Sequence, residues 1–187
     1  MQAARGTSLS SGGHTEPATP KSPARARIRL VFASTAIVAL LIDIGTKVLA
    51  VDRLTGRGRV DVVGDLLGFQ LTRNPGAAFS TGTGFTAGFT VLAIVATVVV
   101  LWLSVRLGTY FWAFGFGMLL AGITGNLSDR IFRSPAPLRG HVVDFLALPH
   151  WPIFNVADIC LNVGVAVVLI QAVRGVRLDG TRHQVEK

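Results

Sequence analysis

Phe85-Thr-Ala-Gly-Phe-Thr-Val-Leu-Ala-Ile-Val-Ala-Thr-Val-Val-Val-Leu-Trp-Leu-Ser-Val105 holds no charged side chain. A helix needs about 20 apolar residues to cross the ~30 Å hydrocarbon core of a bilayer, and this stretch supplies them. Past Arg106 and Gly108 the chain enters a second such run, Leu107–Ser128, so the two are expected to form a tight antiparallel helical hairpin. Leu30–Val51 on one side and Ile153–Val173 on the other complete four spans; the first is interrupted by Asp43 and Lys47, and the last carries Asp158 near its start. Half of the 187 residues are hydrophobic and only 15% are charged, with a mean hydropathy of +0.55. That composition belongs to an integral membrane protein. The expected fold class is an all-α integral membrane protein: four transmembrane helices with a small extracytoplasmic β-structured cradle.

The remaining segments sort by composition. Residues 1–28 are rich in Ser, Gly, Pro, Ala and Arg without apolar period, and read as a disordered cytoplasmic tail. Residues 29–174 form the four-span domain and 175–187 a second cytoplasmic tail. Within the domain, residues 54–80 combine Gly turns with alternation such as Phe69-Gln-Leu-Thr72 and read as the β cradle. Residues 131–152, with Pro135, Pro137, Pro149 and Pro152, read as an irregular outer loop or flap. Placing both termini inside puts ten Lys/Arg inside and seven outside, a narrow bias toward N-in, C-in. Trp102, Tyr110 and Trp112 near inner ends, and Trp151 at an outer end, fit interfacial belts. The net charge of +8 is set against the anionic cytoplasmic leaflet. Nucleic-acid binding is excluded, because the arginines form no single patch with interleaved aromatics. The lone Cys160 sits in an apolar run and reads as core filling.

Four-span parity gathers the polar residues at one depth. Asp43 and Lys47 lie in the outer half of the first span, Asn126, Asp129 and Arg130 cap the outer end of the third, Asp144 lies in the outer loop, and Asn155 and Asp158 open the fourth. A charge inside an apolar span is costly and usually functional. Asp43 and Lys47, four apart on one helix face, read as an ion pair. Asn126/Asp129 and Asn155/Asp158, each three apart, put an amide and a carboxylate on one face. Each also has a bland reading. Asp129 beside Arg130 is a helix-end pair, Asp144 a solvated loop residue, Asp158 a favourable helix-terminus charge, and Gly76-Ala-Ala78 a turn. Ala113, Gly117, Ala121 and Gly125 repeat every four residues and read as a close-packing stripe. Asp144 and Asp158 are the candidate acid/base pair.

Five ordered blocks now stand out: Asp43-Ile-Gly-Thr-Lys47, Asn74-Pro-Gly-Ala-Ala-Phe79, Gly125-Asn-Leu-Ser-Asp-Arg130, His141-Val-Val-Asp-Phe145 and Phe154-Asn-Val-Ala-Asp158. In these the chain resembles the lipoprotein signal peptidase family (signal peptidase II), bacterial inner-membrane aspartyl proteases, over roughly residues 30–173. It departs from the family's usual pattern at Ile44 (usually Gln), Ala121-Gly-Ile123 (usually Gly-Gly-Ala) and Ile159 (often small or hydroxyl), and its loop between Asp144 and Asp158 is shorter. The departures touch substrate preference rather than the reaction.

The resemblance implies an Asp144–Asp158 catalytic dyad. It also implies a diacylglyceryl-modified prolipoprotein substrate, cut just before the lipidated lipobox Cys in the bacterial inner membrane, with the site near the extracytoplasmic face. Asn74, Gly76, Asn126, Arg130 and Asn155 are then expected to bind substrate or orient the dyad, with Asp43, Lys47 and Asp129 in support. No metal or cofactor is expected. The four His, at 14, 141, 150 and 183, lack metal-site spacing. Membrane lipids are the other expected partners, and a monomer is the expected state. Two other readings stand beside this one: a proton- or ion-coupled small transporter, which also uses intramembrane carboxylates, and a non-enzymatic membrane assembly factor.

Overall fold

The computed structural model describes residues 23–76 and 85–182. Four helices carry the chain back and forth: α1 (Pro23–Leu54), α2 (Thr86–Ser104), α3 (Tyr110–Phe132) and α4 (Val156–Val173). All four are long and apolar enough to cross a membrane. Three strands, β1 (Val60–Val63), β2 (Leu67–Asn74) and β3 (Val142–Ala147), form one antiparallel sheet in the order β1-β2-β3. The sheet lies at the end of the bundle where α1 and α3 finish and α2 and α4 begin.

α3 is the central helix and packs against the other three. Half of its most apolar window is buried, against about a fifth of the others. Its small residues allow this. A side chain at Gly117 would strike the Phe32 carbonyl and Thr35 of α1, and one at Gly125 would strike the Asp43 carboxylate and Ala157. In a bilayer, where lipid tails are as apolar as leucine, such close backbone approach is what holds helices together. The small-residue stripe therefore packs, as its spacing indicates. Gly125→Ala is expected to lower the melting temperature in detergent, an overpacking cost of about 1–3 kcal/mol, since the Asp43 carboxylate it strikes is tied on both oxygens. An unchanged melt would show that α1 yields freely there.

Several boundaries differ from the sequence reading. Residues 23–28 are the first turns of α1 rather than tail, and Ile28 is buried against Val100, Leu107 and Trp112; residues 1–22 lie outside the described residues. The 131–152 segment is not wholly irregular, because Val142–Ala147 add a strand to β2. Residues 176–182 are not a free tail. Gly175 at φ +64° ends the run of α4. A turn bridged at Val176 and Arg182 then packs back, with the Gly108 N–H donating to the Leu178 carbonyl (2.7 Å) and the Trp112 Nε1–H to the Arg177 carbonyl (2.9 Å). Trp112 is accordingly 5% exposed. It belongs to the core of that end and not to an interfacial belt, while Trp102, Tyr110 and Trp151 are exposed. The cradle is present as β1 and β2; residues 77–84 lie outside the described residues. Cys160 is buried, in keeping with core filling.

Candidate active site

Asp144 reaches the site through strand register. Thr72 of β2 pairs with Asp144 of β3, which leaves Asn74 as the diagonal neighbour on the same face. The Asn74 Nδ2 donates to Asp144 Oδ2 at 3.1 Å. After β3 the chain turns back at once. Phe154 bridges to Leu146, with Phe154 N–H to the Leu146 carbonyl at 3.0 Å, and α4 starts two residues later. This short return carries Asp158 to the end of β3.

The start of α4 is a capping box. Asn155 Oδ1 accepts from the Asp158 N–H (3.0 Å), and Asp158 Oδ2 accepts from the Asn155 N–H (3.1 Å). The bland reading of Asp158 as a helix-terminus charge is thus correct for one of its oxygens. Its other oxygen, Oδ1, accepts from Asn126 Nδ2 at 2.9 Å.

Three amides surround the two carboxylates, and each is oriented by a group that leaves it no choice. Lys47 has donors only and gives one to Asn126 Oδ1 (3.0 Å), so Asn126 must aim its NH₂ at Asp158. Asn155 spends its oxygen on the helix cap, so its Nδ2 faces Asp144 Oδ1 (2.6 Å) and Asn126 Oδ1 (3.1 Å). The Gly76 N–H donates to Asn74 Oδ1 (2.9 Å), so Asn74 turns its donor to Asp144. Asn155 is fully buried and Asp144 nearly so, at 0% and 2% exposed.

Lys47 is the hub. Its ammonium sits 2.9 Å from both Asp43 and Asp129, and all three groups are buried. Asp43 and Lys47 pair as their spacing indicates. Asp43 also accepts the Ala157 N–H at 2.8 Å, which ties α1 to the first turn of α4. The Asp129–Arg130 pair does not form. Asp129 instead takes Lys47, Arg133 and the Val143 N–H (3.2 Å), because α3 runs on to Phe132 and brings Arg133 onto its face. Arg130 swings away to donate from Nη2 to the Gly76 carbonyl (2.7 Å), with its guanidinium over the Phe89 ring (5.6 Å). Its Nη1 is buried and has no partner among the described residues.

A cavity of about 580 Å³ opens beside these groups, lined by Asn74, Gly76, Arg130, Asp144 and Asp158 and by apolar side chains that include Trp151, Phe154 and Ile159. Every sequence-predicted site residue is therefore here, either on the cavity or in the hydrogen-bonded layer behind it. Asn162 also lines it and was missed. The signal was its place four residues after Asp158, on the same helix face.

Burial, and after it the negative charge of Asp158, pushes the Asp144 carboxyl up to about 7. An acid whose folded value exceeds its unfolded one stabilises the native state most at low pH and loses that contribution as pH rises through the folded value. Between about pH 4 and 7 the wild type should thus lose up to about 1.4 kcal/mol per pH unit relative to Asp144→Asn. Melting curves of the two proteins across that range check this; parallel curves would mean that Asp144 titrates normally.

A family model described as "Signal peptidase (SPase) II" matches residues 35–174. The chain belongs to the signal peptidase II family. It is therefore an aspartic-type peptidase, and family membership decides against the transporter and assembly-factor readings. The chain is similar to the lipoprotein signal peptidase of Mycobacterium tuberculosis H37Rv, 46% identical over 174 residues that cover 92% of this chain and 85% of the relative. It is 47% identical to that of Mycobacterium leprae over 82% of this chain and 76% of the relative. For the Streptomyces griseus protein the identity is 42%, over 83% and 79%. Two solved structures, both titled as a bacterial membrane enzyme structure by the in meso method, share the fold. The one at 2.3 Å resolution gives a TM-score of 0.68 at 24% identity, over 83% of this chain and 94% of that one. The one at 1.9 Å gives 0.66 at 26%, over 76% and 92%. This signal peptidase II family member is a multi-pass membrane protein with its polar network gathered at the sheet end.

Proposed function

We propose that this peptidase removes the signal peptide from diacylglyceryl-modified prolipoproteins, cutting just before the lipidated lipobox Cys, with Asp144 and Asp158 as its dyad. One observation supports this reading above the rest. The two carboxylates line a single cavity, and amides whose orientation is forced hold both of them.

Two neighbouring carboxyls share a proton, because both cannot ionise at close range. Asp158, which accepts the Asn155 N–H at the N-terminus of α4, is the base. Asp144 keeps the proton, in line with its raised value. Asp158 draws a proton from a water, whose oxygen attacks the scissile carbonyl carbon. Asp144 donates to the developing oxyanion. In the second step the proton on Asp158 passes to the leaving amine as the C–N bond breaks, and a hydroxyl of the collapsing gem-diol returns a proton to Asp144. The unpartnered Nη1–H of Arg130 is a donor for a substrate carbonyl, and Gly76, whose carbonyl Arg130 holds, lines the same wall. Asp43, Lys47 and Asp129 act from behind by holding Asn126.

The enzyme works as a monomer in the bacterial inner membrane, N-in and C-in, with the sheet end at the extracytoplasmic face. There the signal helix and the acyl chains stay among lipids, and water reaches the carboxylates from outside. The hairpin of β1 and β2 presents exposed Val62, Val63 and Leu66 to the headgroup layer, and residues 131–152 cover the site.

The test is cleavage of a lipidated lipobox peptide by the purified protein, with the product mapped by mass spectrometry. Scission before the modified Cys, absent from the unlipidated peptide and blocked by the family's inhibitor globomycin, is the expected result. Equal cleavage of both peptides, or of neither, would overturn the reading.

A further inference from the structure

Asn162 is the polar group of the cavity that the reaction leaves unused. It lies one turn below Asp158 on α4, away from the sheet, within a helix of mean hydropathy 2.2. It is exposed on the surface of α4 and is among the residues lining the cavity that holds Asp144 and Asp158. One Nδ2 hydrogen goes back to the Asp158 carbonyl at 2.9 Å. That bond points Oδ1 outward, and among the described residues Oδ1 has no donor. Local back-bonding accounts for the NH₂ alone. An open acceptor about 9 Å from the start of a membrane helix needs an N–H or O–H, from cavity water in the free enzyme or from a chain that displaces it.

The occupant's chemistry follows from the atoms. Ester and phosphate oxygens of a lipid offer no hydrogen to Oδ1. A peptide group offers an N–H to Oδ1 and a carbonyl to the second Nδ2 hydrogen. Four helical residues rise about 6 Å, and two residues of extended chain span about 7 Å. A peptide whose scissile carbonyl stands at the dyad and whose chain runs down α4 therefore brings a backbone N–H to Asn162 about two residues before the cut.

We infer that Asn162 is a substrate-binding residue that holds the backbone of the departing signal peptide, accepting its N–H about two residues before the scissile bond. The inference rests on the peptidase reading above. It extends the cleft one turn toward the bilayer centre, beyond the Asn155–Asp158 cap.

Kinetics with the lipidated lipobox peptide test it. Asn162→Leu keeps size and helix preference. It should raise KM about 3- to 10-fold, the loss of one hydrogen bond, with kcat held within about twofold. The second arm needs no variant: the wild-type enzyme should show the same rise in KM on a peptide whose N–H about two residues before the cut is replaced by an ester oxygen. Asn162→Leu should show no further loss on that peptide. An unchanged KM on the ester peptide, additive losses, or a fall in kcat alone would overturn the inference, and the ester arm decides if Asn162→Leu fails to fold. Wild-type enzyme that cuts neither peptide would instead sink the proposed prolipoprotein reading.

Discussion

Asp144→Asn and Asp158→Asn are each expected to cut kcat/KM on a lipidated precursor by about 10³-fold or more, in proteins that still fold. General acid and base groups contribute about 10²–10⁴-fold apiece, and in the proposed dyad each is half of one proton-sharing unit, so removing either leaves no intact pair. Retention of the fold follows from the environment of each carboxyl. Asn at 144 resembles the protonated acid, which burial already favours there. Asn at 158 still offers one oxygen to the Asn155 N–H or to Asn126. Turnover in detergent, with circular dichroism and a melt on the same sample, checks both halves. A folded variant with more than about a tenth of wild-type turnover would remove that residue from the dyad.

Lys47→Met is expected to be the most damaging change to stability, about 3–5 kcal/mol, the usual cost of leaving buried charge without its partner. It strands Asp43, at 0% exposure, and leaves Asp129, at 3%, with Arg133 as its one remaining cation among the described residues. It also removes one of the two donors on Asn126 Oδ1, leaving the Asn155 Nδ2–H alone to hold the amide that faces Asp158. The folded fraction should therefore lose turnover as well as stability. Adding Asp43→Asn to Lys47→Met should recover part of the stability, because it removes the stranded charge, and should not recover the turnover, because the ammonium that helps orient Asn126 is still missing. Recovery of both would show that Lys47 acts through charge alone. By itself, Asp43→Asn keeps the Ala157 tie and mainly lowers yield.

Much of the site was legible in the chain because membrane burial makes polar residues conspicuous. A carboxylate such as Asp43 or Asp158 in an apolar span stands out, and counting spans tells which ones share an end. Asn162 escaped because an amide one turn past a carboxylate has no periodic signal apart from its spacing. The Asp129–Arg130 pairing went wrong for a related reason. Adjacent residues on a helix point about 100° apart, so Asp129 turned to Lys47 and Arg130 to Gly76. Trp112 was read as a belt residue because only the return of residues 176–182 reveals that its N–H is enclosed.

Hydropathy is a local property, and so the sequence alone determined four spans, their shared polar end and the small-residue face of α3, and it singled out Asp144 and Asp158 as the candidate pair. Register and amide orientation are not local. Tertiary structure alone decided that Thr72 lies opposite Asp144, that a lysine on α1 turns an asparagine on α3 toward an aspartate on α4, and that one cavity joins them. An amide can present either its oxygen or its NH₂, and which one faces the carboxylate depends on partners that may lie 79 residues away along the chain.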